Sequence, residues 1–327
     1  MVRHKAVLFV CLVSVAANVY LLSRLKKPYH HAIPKSPGDI TVVTPTGSVP
    51  KAQPEGKSLV SELVVFVGGC PRSGTTLARA MLDAHPDIRC GEETRVLPRI
   101  LAIASKMSQS TLEQKRLESG GVSEELLDRA IAAFMGEIIV GHGVPSKYLC
   151  NKDPLLLQHM KHIARMFPKA KFLLMIRDGR AVAHSIVSRN ITISGVDAKN
   201  YLSAALFWNK VALSMSEDCN NLPERCMIVF YEKLVGDPST QMKEVLRFLD
   251  IPWHDNVLRH HEMIGSEVSL SKMEPSTNQV KKPVNTESLD TWRTSIPPAI
   301  LEQIWEECDM LKELGYPKYT ADSKATV

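Results

Sequence analysis

The chain has 327 residues, of which 44% are hydrophobic and 23% are charged, and its formal net charge is +5. This length allows one large domain or two small ones, and the apolar content is sufficient for a sizeable core. Because basic and acidic residues are interspersed, the modest positive charge favours a surface that attracts anions and argues against nucleic-acid binding.

A nearly unbroken apolar run, Ala6 to Leu22, lies near the N-terminus and has basic residues on both sides. A span of about 17 residues is the lower limit for crossing a bilayer. A cleaved signal peptide is the alternative, but the bulky residues that end the run offer no small-x-small cleavage site. We predict an uncleaved signal anchor at residues 6–22, with residues 1–5 cytosolic and the rest of the chain luminal.

A proline-rich segment, residues 23–60, follows this run. Six prolines from Pro28 to Pro54 stand among Thr, Ser, Gly and Lys. Such a composition cannot bury a core and should stay extended and solvated, so we predict a luminal stalk. The folded domain is predicted at residues 61–318, with residues 319–327 as a C-terminal tail.

The stretch after the stalk predicts a strand, a phosphate-binding loop and a helix. The apolar run Leu63 to Val67 ends in a Gly-rich turn, and helical spacing begins at Thr75. Gly69-x4-Gly74 fits the P-loop pattern, and Thr76 stands where that pattern has Ser or Thr. Thr75, however, replaces the lysine that reaches the outer phosphates of a nucleoside triphosphate.

The same loop is still suited to an anion. The free N–H groups of a helix N-terminus and the guanidinium of Arg72 match phosphate oxygens. The alternative is an ordinary turn between a strand and a helix. The convergence of Arg, Ser and two Thr in one loop favours the anion site.

Two adjacent carboxylates, Glu92 and Glu93, stand among Arg89, Arg95 and Arg99. In one interpretation they simply pair with these arginines at a solvated helix start. In the other, one of them is a general base beside the phosphate loop. The local pattern leaves both open.

Two further predicted strands end in basic residues. Lys152 follows the strand that starts at Tyr148, and Arg177 follows the apolar run Lys171 to Ile176. Open α/β sheets bind ligands at these strand ends. Arg177, Ser185 and Arg189 form a basic and hydroxyl cluster suited to a second phosphate, although ordinary surface arginines on a helix remain the alternative.

Asp178 also has two interpretations. A Walker B pattern would make it a magnesium ligand, but it can equally cap the helix Gly179 to Arg189, which we favour.

The remaining pattern alternates between strands and helices. It predicts an α/β fold with a mainly parallel sheet and flanking helices. A polar, irregular segment, Ser266 to Thr294, could close over a ligand. The other predicted elements are a helical region at Ser105 to Gly143 in which Ser108 to Gly120 is an exposed connection, a helix at Leu155 to Phe167, a helix at Asp197 to Asp218, a strand at Cys226 to Tyr231, and helices at Pro238 to Leu249 and Pro297 to Leu314.

Seven cysteines are present, one of them, Cys11, in the membrane run. The even luminal count permits disulfides, and the short spacing favours Cys219 with Cys226. We predict no metal site, because neither a paired C-x-x-C spacing nor a His-x-x-x-His helix occurs.

Five motifs together closely resemble the tyrosylprotein sulfotransferases. They are Pro71 to Thr76, Arg89 to Arg95, Asn151 to Pro154, Arg177 to Arg180, and Lys282 to Asn285. The resemblance extends from about Leu63 to Tyr316. It implies a P-loop-like sulfotransferase fold and a single-pass type II Golgi membrane enzyme, generally a homodimer. Such enzymes move a sulfuryl group from 3′-phosphoadenylyl sulfate (PAPS) to tyrosines in acidic peptide segments of secreted and membrane proteins, leaving 3′-phosphoadenosine 5′-phosphate (PAP).

The resemblance also implies roles for residues. Glu93 matches the catalytic base, Lys152 and Ser276 the transition-state stabilisers, and Arg72 an additional catalytic group. The implied peptide contacts are Arg95, Val96, Leu97, Pro98 and Arg99. The implied donor contacts are Arg72, Ser73, Gly74, Thr75 and Thr76 at the 5′-phosphosulfate, Arg177, Ser185 and Arg189 at the 3′-phosphate, and Tyr231, Ser276, Thr277, Asn278, Gln279, Val280, Lys281, Lys282, Pro283, Val284 and Asn285 elsewhere.

The resemblance further implies two disulfides, Cys90–Cys150 and Cys219–Cys226, with Cys70 and Cys308 as unpaired extras. Thr291 and Pro275 depart from the family, which has a donor-binding lysine and an arginine there. A sulfuryl group carries less charge than a γ-phosphoryl group, so backbone N–H groups, Arg72 and Lys152 can serve without magnesium. The alternatives are a Golgi carbohydrate sulfotransferase, a P-loop NTPase or kinase, and a membrane-anchored binding protein without activity.

Overall fold

The structure is a computed structural model that describes residues 59–271, 274, 276–286 and 288–319. The predicted membrane segment, nearly all of the stalk and of the C-terminal tail, and Pro275 lie outside these residues. Within the described residues, no helix has the length and apolar character needed to cross a membrane.

A parallel sheet forms the centre of the described chain, which confirms the predicted α/β fold. Its strands are β1 (Val64–Gly69), β2 (Ile88–Arg89), β3 (Tyr148–Lys152), β4 (Lys171–Ile176) and β5 (Cys226–Phe230). Their order is β2-β3-β1-β4-β5, and each neighbouring pair is parallel. Since β1 lies between β3 and β4, the chain runs to one side of β1 and then to the other. Because the strands are parallel, the loops after β1, β3 and β4 meet at one end of the sheet, where the strands have their C-terminal ends.

Helices cover both faces of the sheet. The α-helices, in chain order, are α1 (Thr75–Asp83), α2 (Val96–Gln109), α3 (Thr111–Ser119), α4 (Glu124–Gly141), α5 (Met160–Met166), α6 (Gly179–Ser188), α7 (Tyr201–Asn220), α8 (Tyr231–Gly236), α9 (Pro238–Leu249), α10 (Thr277–Val280), α11 (Thr291–Ser295), α12 (Pro298–Glu307) and α13 (Asp309–Glu313). Short 3₁₀ helices lie at Leu59–Ser61, Pro154–His159, Asp255–Leu258 and His260–Met263.

Alternating side chains of the central strands build a core on each face. In β1, Val64 and Phe66 pack on the face covered by α2, α4 and α7, whereas Val65 and Val67 pack on the face of α1 and α9. The Phe66 ring stacks on Phe172 of β4, with 5.8 Å between the ring centroids. Both faces are buried, which explains why these strands read as continuous apolar runs.

Several predicted elements differ from the structure. The helix predicted at Pro297 to Leu314 is two helices, α12 and α13. The predicted connection Ser108 to Gly120 is exposed, but most of it forms α3, because the Ser110 side chain accepts a hydrogen bond from the Glu113 N–H and caps this helix. The helix predicted from Asp197 begins at Tyr201, because Asn200 caps it. The segment after Lys152 starts as a 3₁₀ helix before α5.

Candidate active site

Four strand ends bring the predicted chemistry to one end of the sheet. The phosphate loop follows β1, Lys152 is the last residue of β3, Arg177 follows β4, and Tyr231 follows β5. Because these strands are parallel neighbours, residues more than 150 positions apart in the chain become neighbours in space.

The phosphate loop depends on a glycine at the start of α1. Gly74 has a φ of 97°, which favours glycine, and a Cβ there would lie 2.4 Å from the Tyr231 ring. The N-terminus of α1 is therefore packed directly against the end of β5. The Ser73 hydroxyl donates to the carbonyl of Cys70 at 2.7 Å and so closes the loop internally.

Arg72 connects this loop to two other elements. Its Nε donates to Ser185 Oγ of α6 at 3.0 Å, and its terminal nitrogen donates to the hydroxyl of Ser276. Burial, followed by the nearby Arg189 and Arg177 charges, lowers the pKa of Arg72 to about 10. Arg72 thus lies close enough to both of these guanidinium groups to be repelled by them, and an anion between the three would relieve this repulsion.

A cavity of about 470 Å³ lies beside these arginines. Most of the donor contacts implied by the resemblance line it: Arg72, Gly74, Thr75, Thr76, Arg177, Ser185, Arg189, Tyr231, Ser276, Val280, Lys282, Pro283, Val284 and Asn285. Other predicted contacts point elsewhere. Ser73 bonds within its loop, the Thr277 hydroxyl donates to the Ser271 carbonyl, and Lys281 is exposed. The side chains of Asn278 and Gln279 lie outside the described part.

The cavity wall also contains residues that our prediction missed. They are Leu77, Ala181, His184, Ser188 and Ser288, together with Thr291, which we had named only as a departure. Helical periodicity would have found three of them, because Ala181, His184 and Ser188 share the α6 face of Ser185. Burial, Arg177 and Arg189 lower the pKa of His184, so this side chain is neutral at neutral pH.

Arg177 belongs to the second basic cluster, and its contacts to Arg72, Ser288 and Tyr231 define its position. Its terminal nitrogens donate to the carbonyls of Arg72 at 3.2 Å and Ser288 at 2.7 Å. The guanidinium lies over the Tyr231 ring, 4.5 Å from the centroid, and the Tyr231 hydroxyl bonds Ser288 Oγ at 3.0 Å. The buried Nε of Arg177 has no hydrogen-bond partner among the described residues, which leaves a donor for a ligand.

Lys152 and Glu93 form an ion pair that does not line this cavity but is joined to its wall through Glu274 and Thr76. The Lys152 ammonium is completely buried and donates to Glu93 Oε2 at 2.9 Å. It also donates to Glu274 Oε2 at 2.9 Å, a partner that the sequence gave no reason to expect. Of the two adjacent carboxylates, only Glu93 faces this lysine, since Glu92 bonds Ser269 and lies near His142.

The loop that carries Glu93 is held by Asp153, the residue after Lys152. Its carboxylate accepts from the Arg95 N–H at 2.9 Å and from the Thr94 hydroxyl at 3.2 Å. Burial, only partly opposed by the hydrogen bond from Arg95, raises the pKa of Asp153 to about 6.

Arg95 and Arg99 are exposed at the start of α2. The Arg95 Nε donates to Glu93 Oε1 at 2.8 Å, so the predicted pairing of this carboxylate with an arginine does occur. Leu97 of the same strip is fully buried in the core, whereas Val96 and Pro98 are partly exposed.

Asp178 is a helix cap, as we favoured. Its carboxylate accepts from the Arg180 N–H at 2.8 Å and pairs with the guanidinium of the same residue at 2.7 Å. Over the described ranges, no group of three or more His, Cys, Asp or Glu side chains is arranged to hold a metal ion.

Both predicted disulfides, Cys90–Cys150 and Cys219–Cys226, are formed. Cys90 stands three residues before Glu93, and Cys150 stands two residues before Lys152. The first disulfide therefore joins the loop of the carboxylate to the strand of the lysine. Cys70 and Cys308 are buried free thiols.

Comparisons with known proteins give the family. Residues 65–255 match the model of the Sulfotransferase family. The chain is 46% identical over 318 residues to protein-tyrosine sulfotransferase 1 of Danio rerio, covering 94% of this chain and 88% of the relative. The chain belongs to the protein-tyrosine sulfotransferase family. It is 46% identical over 320 residues to protein-tyrosine sulfotransferase 1 of Homo sapiens, covering 95% of this chain and 86% of the relative.

Solved structures agree with this family at the level of the fold. The sulfotransferase domain of the curacin biosynthetic pathway matches with a TM-score of 0.55 and 19% identity, covering 79% of this chain and 99% of the domain. The sulfotransferase domain of the olefin synthase from Synechococcus PCC 7002 matches with a TM-score of 0.51 and 20% identity, covering 80% and 98%. These two matches show that the chain has the sulfotransferase fold.

Proposed function

We propose that this enzyme transfers a sulfuryl group from PAPS to tyrosine hydroxyls in acidic segments of secretory-pathway proteins, with Glu93 as general base. The observation that carries this proposal is the Lys152–Glu93 pair at 2.9 Å, which Glu274 and Thr76 join to the wall of an arginine-lined cavity. A base next to a buried cation and an anion site is what transfer to a phenol requires.

The residues present suit the nucleotide. Arg72 and the start of α1 would hold its 5′-phosphosulfate, and Arg177, Ser185 and Arg189 its 3′-phosphate. The buried, unpartnered Nε of Arg177 and the repulsion of Arg72 by the other two guanidinium groups support anion binding here. PAPS supplies the sulfuryl group and leaves as PAP.

Different residues of the site would remove the proton and stabilise the developing charge. A phenol has a pKa of about 10 and is neutral at neutral pH, so its attack needs a base that removes the proton. Glu93 would take this proton at the carboxylate oxygen that Arg95 contacts, while Lys152 and Arg72 stabilise negative charge that develops during transfer. Ser276 holds the Arg72 guanidinium through its hydroxyl.

The test is transfer of labelled sulfate from PAPS to a tyrosine peptide and, in parallel, to a sugar acceptor. We expect transfer to the peptide alone. Glu93→Ala should lower turnover by roughly two to four orders of magnitude, the usual worth of general-base catalysis, with PAP binding kept. Glu92→Ala is the matched control. Transfer to the sugar would favour a carbohydrate sulfotransferase, and activity that survives in Glu93→Ala but is lost in Glu92→Ala would reverse the assignment.

The acidic preference follows from Arg95 and Arg99, which present exposed positive charge next to Glu93. A peptide with Asp or Glu beside its tyrosine should react faster than its Asn/Gln counterpart at low salt. The gap should shrink as added salt shortens the Debye length from about 10 Å at 0.1 M. A double Arg95→Ala, Arg99→Ala variant should lose most of this discrimination. Equal rates for both peptides with the wild type would leave the arginines a structural role.

We also propose that the predicted anchor holds the enzyme in the Golgi membrane as a single-pass type II protein with a luminal catalytic domain, and that the enzyme is a homodimer. The apolar run at residues 6–22 supports the anchor. Protease protection of the C-terminal part in sealed Golgi vesicles, with digestion after detergent, tests the topology. Analytical ultracentrifugation of the purified enzyme tests the dimer.

A further inference from the structure

One lysine joins two carboxylates from distant parts of the chain. The buried Lys152 ammonium lies 2.9 Å from Glu93 Oε2 and 2.9 Å from Glu274 Oε2. Glu274 is itself buried, with 6% of its surface exposed. Burial alone would raise the pKa of Glu274, but the Lys152 charge, the hydrogen bonds from Lys152 and the Glu93 N–H, and the Arg79 charge together outweigh it and hold this pKa below its usual value. Glu274 is therefore a carboxylate at neutral pH.

Glu274 also contacts the backbone of Glu93. Its Oε1 accepts from the Glu93 N–H at 2.9 Å, and its Oε2 accepts from the Thr76 hydroxyl at 3.4 Å. Among the described residues, the Lys152 ammonium, the Glu93 N–H and the Thr76 hydroxyl all donate to this carboxylate, so both of its oxygens must accept. A carboxylate meets this demand, whereas an amide of the same shape would turn its NH₂ group toward a donor.

The same turn reaches the donor side of the site. Ser276 stands two residues after Glu274 and accepts a hydrogen bond from Arg72. The turn is closed by its own contacts, because the Thr277 N–H donates to the Glu274 carbonyl at 3.1 Å and the Thr277 hydroxyl to the Ser271 carbonyl at 2.7 Å. One short segment thus touches Arg72 with one residue and the Lys152–Glu93 pair with another.

We propose that Glu274 is a positioning residue that fixes where the Lys152–Glu93 pair lies relative to the donor-binding segment. Nucleotide binding and acceptor binding are then coupled through Glu274. This inference rests on the proposed function, in which Arg72 holds the donor and Glu93 serves the acceptor. Any ligand that organises the Ser276 turn also places Glu274, and through it the base. Glu274 acts through Lys152 and Glu93 and does not itself touch the reacting atoms.

The kinetic test uses the full chain with Glu274→Gln and Glu274→Asp. Glu274→Gln should lower kcat roughly 10- to 100-fold, the usual effect of misplacing catalytic groups. It should leave the affinity for PAP in the absence of peptide near the wild-type value, because the turn is closed by contacts that do not use this carboxylate. Glu274→Asp keeps the charge but is one methylene shorter, so its kcat should lie between the two. Glu267→Gln, an exposed position of the same segment, is the matched control and should behave as the wild type.

The second readout is independent of turnover. The affinity of a tyrosine peptide is measured by calorimetry with and without saturating PAP, which cannot transfer a sulfuryl group. In the wild type we expect PAP to tighten peptide binding at least about 5-fold, within the usual range of coupling between sites. In Glu274→Gln this factor should fall toward one, while Glu274→Asp and Glu267→Gln retain some or all of it.

Loss of both kcat and coupling in Glu274→Gln supports the proposal. A wild-type kcat in this variant, or coupling that equals that of the wild type, overturns it. The Glu93→Ala variant separates this result from the proposed function. If Glu93→Ala is inactive and Glu274→Gln behaves as the wild type, only the role of Glu274 fails, whereas an active Glu93→Ala overturns the base assignment itself. If Glu274→Gln does not fold, a wild-type kcat in Glu274→Asp overturns the proposal.

Discussion

Replacing Lys152 with methionine removes the charge that two carboxylates share. Methionine has a similar length and no charge, and the site is completely buried. Glu93 keeps the guanidinium of Arg95 at 2.8 Å, so the carboxylate left without a cation partner is mainly that of Glu274. Removing one partner of a buried ion pair costs about 3–5 kcal/mol of unfolding free energy.

This cost should depend on pH. In the wild type the pKa of Glu274 is lowered, so its contribution to stability is present above the unfolded value of about 4.3 and is lost as the pH falls. In Lys152→Met burial would act without the lysine and raise this pKa. Ionised Glu274 then lowers the unfolding free energy of the variant, and this loss grows as the pH rises above about 4.3. The stability gap should therefore be smallest near pH 5 and largest near pH 8.

The assay is thermal unfolding of the purified full chain between pH 5 and pH 8. At about 2–4 °C per kcal/mol, the midpoint should fall by roughly 10 °C at the alkaline end. Adding Glu274→Gln to Lys152→Met should recover part of this loss, because it removes the unpaired charge. The control is Lys312→Met, which breaks an exposed ion pair with Asp309 and should change little. A gap that is absent, or that does not vary with pH, would refute the reasoning.

Three further predictions follow from the site. Arg177→Ala should weaken PAP binding about tenfold or more, the worth of hydrogen bonds to a charged group, and should hardly change binding of the nucleotide that lacks the 3′-phosphate. If calorimetry finds that both nucleotides lose affinity equally, Arg177 instead serves to hold Arg72 and Ser288. Asp153→Asn removes the titrating carboxyl, so the unfolding free energy of the wild type should fall relative to this variant as the pH rises from about 4 to about 6, and should not change further above that. A difference in unfolding free energy that does not vary with pH would contradict the raised pKa. Thr291→Lys places a cation at the cavity wall and should tighten PAP binding in the same calorimetric assay, whereas unchanged affinity would mean that another residue already fills this role.

Local patterns in the sequence determined the sheet and the placement of most of the site. The apolar runs of β1 and β4 are legible because strands buried on both faces must be continuously hydrophobic. The basic residues in the loops after these strands, Arg72 and Arg177, could be assigned to the same end of the sheet because parallel strands end together. The family motifs then assigned Glu93 and Lys152 their roles, and the structure brings these two side chains to 2.9 Å.

Tertiary structure decided the contacts that local patterns do not encode. Glu274 stands in an irregular, polar segment, where an acidic residue has the signature of a solvated side chain. It is buried only because this segment packs against Lys152, 122 positions earlier in the chain. Asp153 likewise looks like a turn residue, but its burial, together with the nearby Glu93 charge, raises its pKa to about 6. Periodicity reports which face of a helix or strand is buried, but burial of an irregular segment depends on what folds over it, and this is a property of the assembled chain.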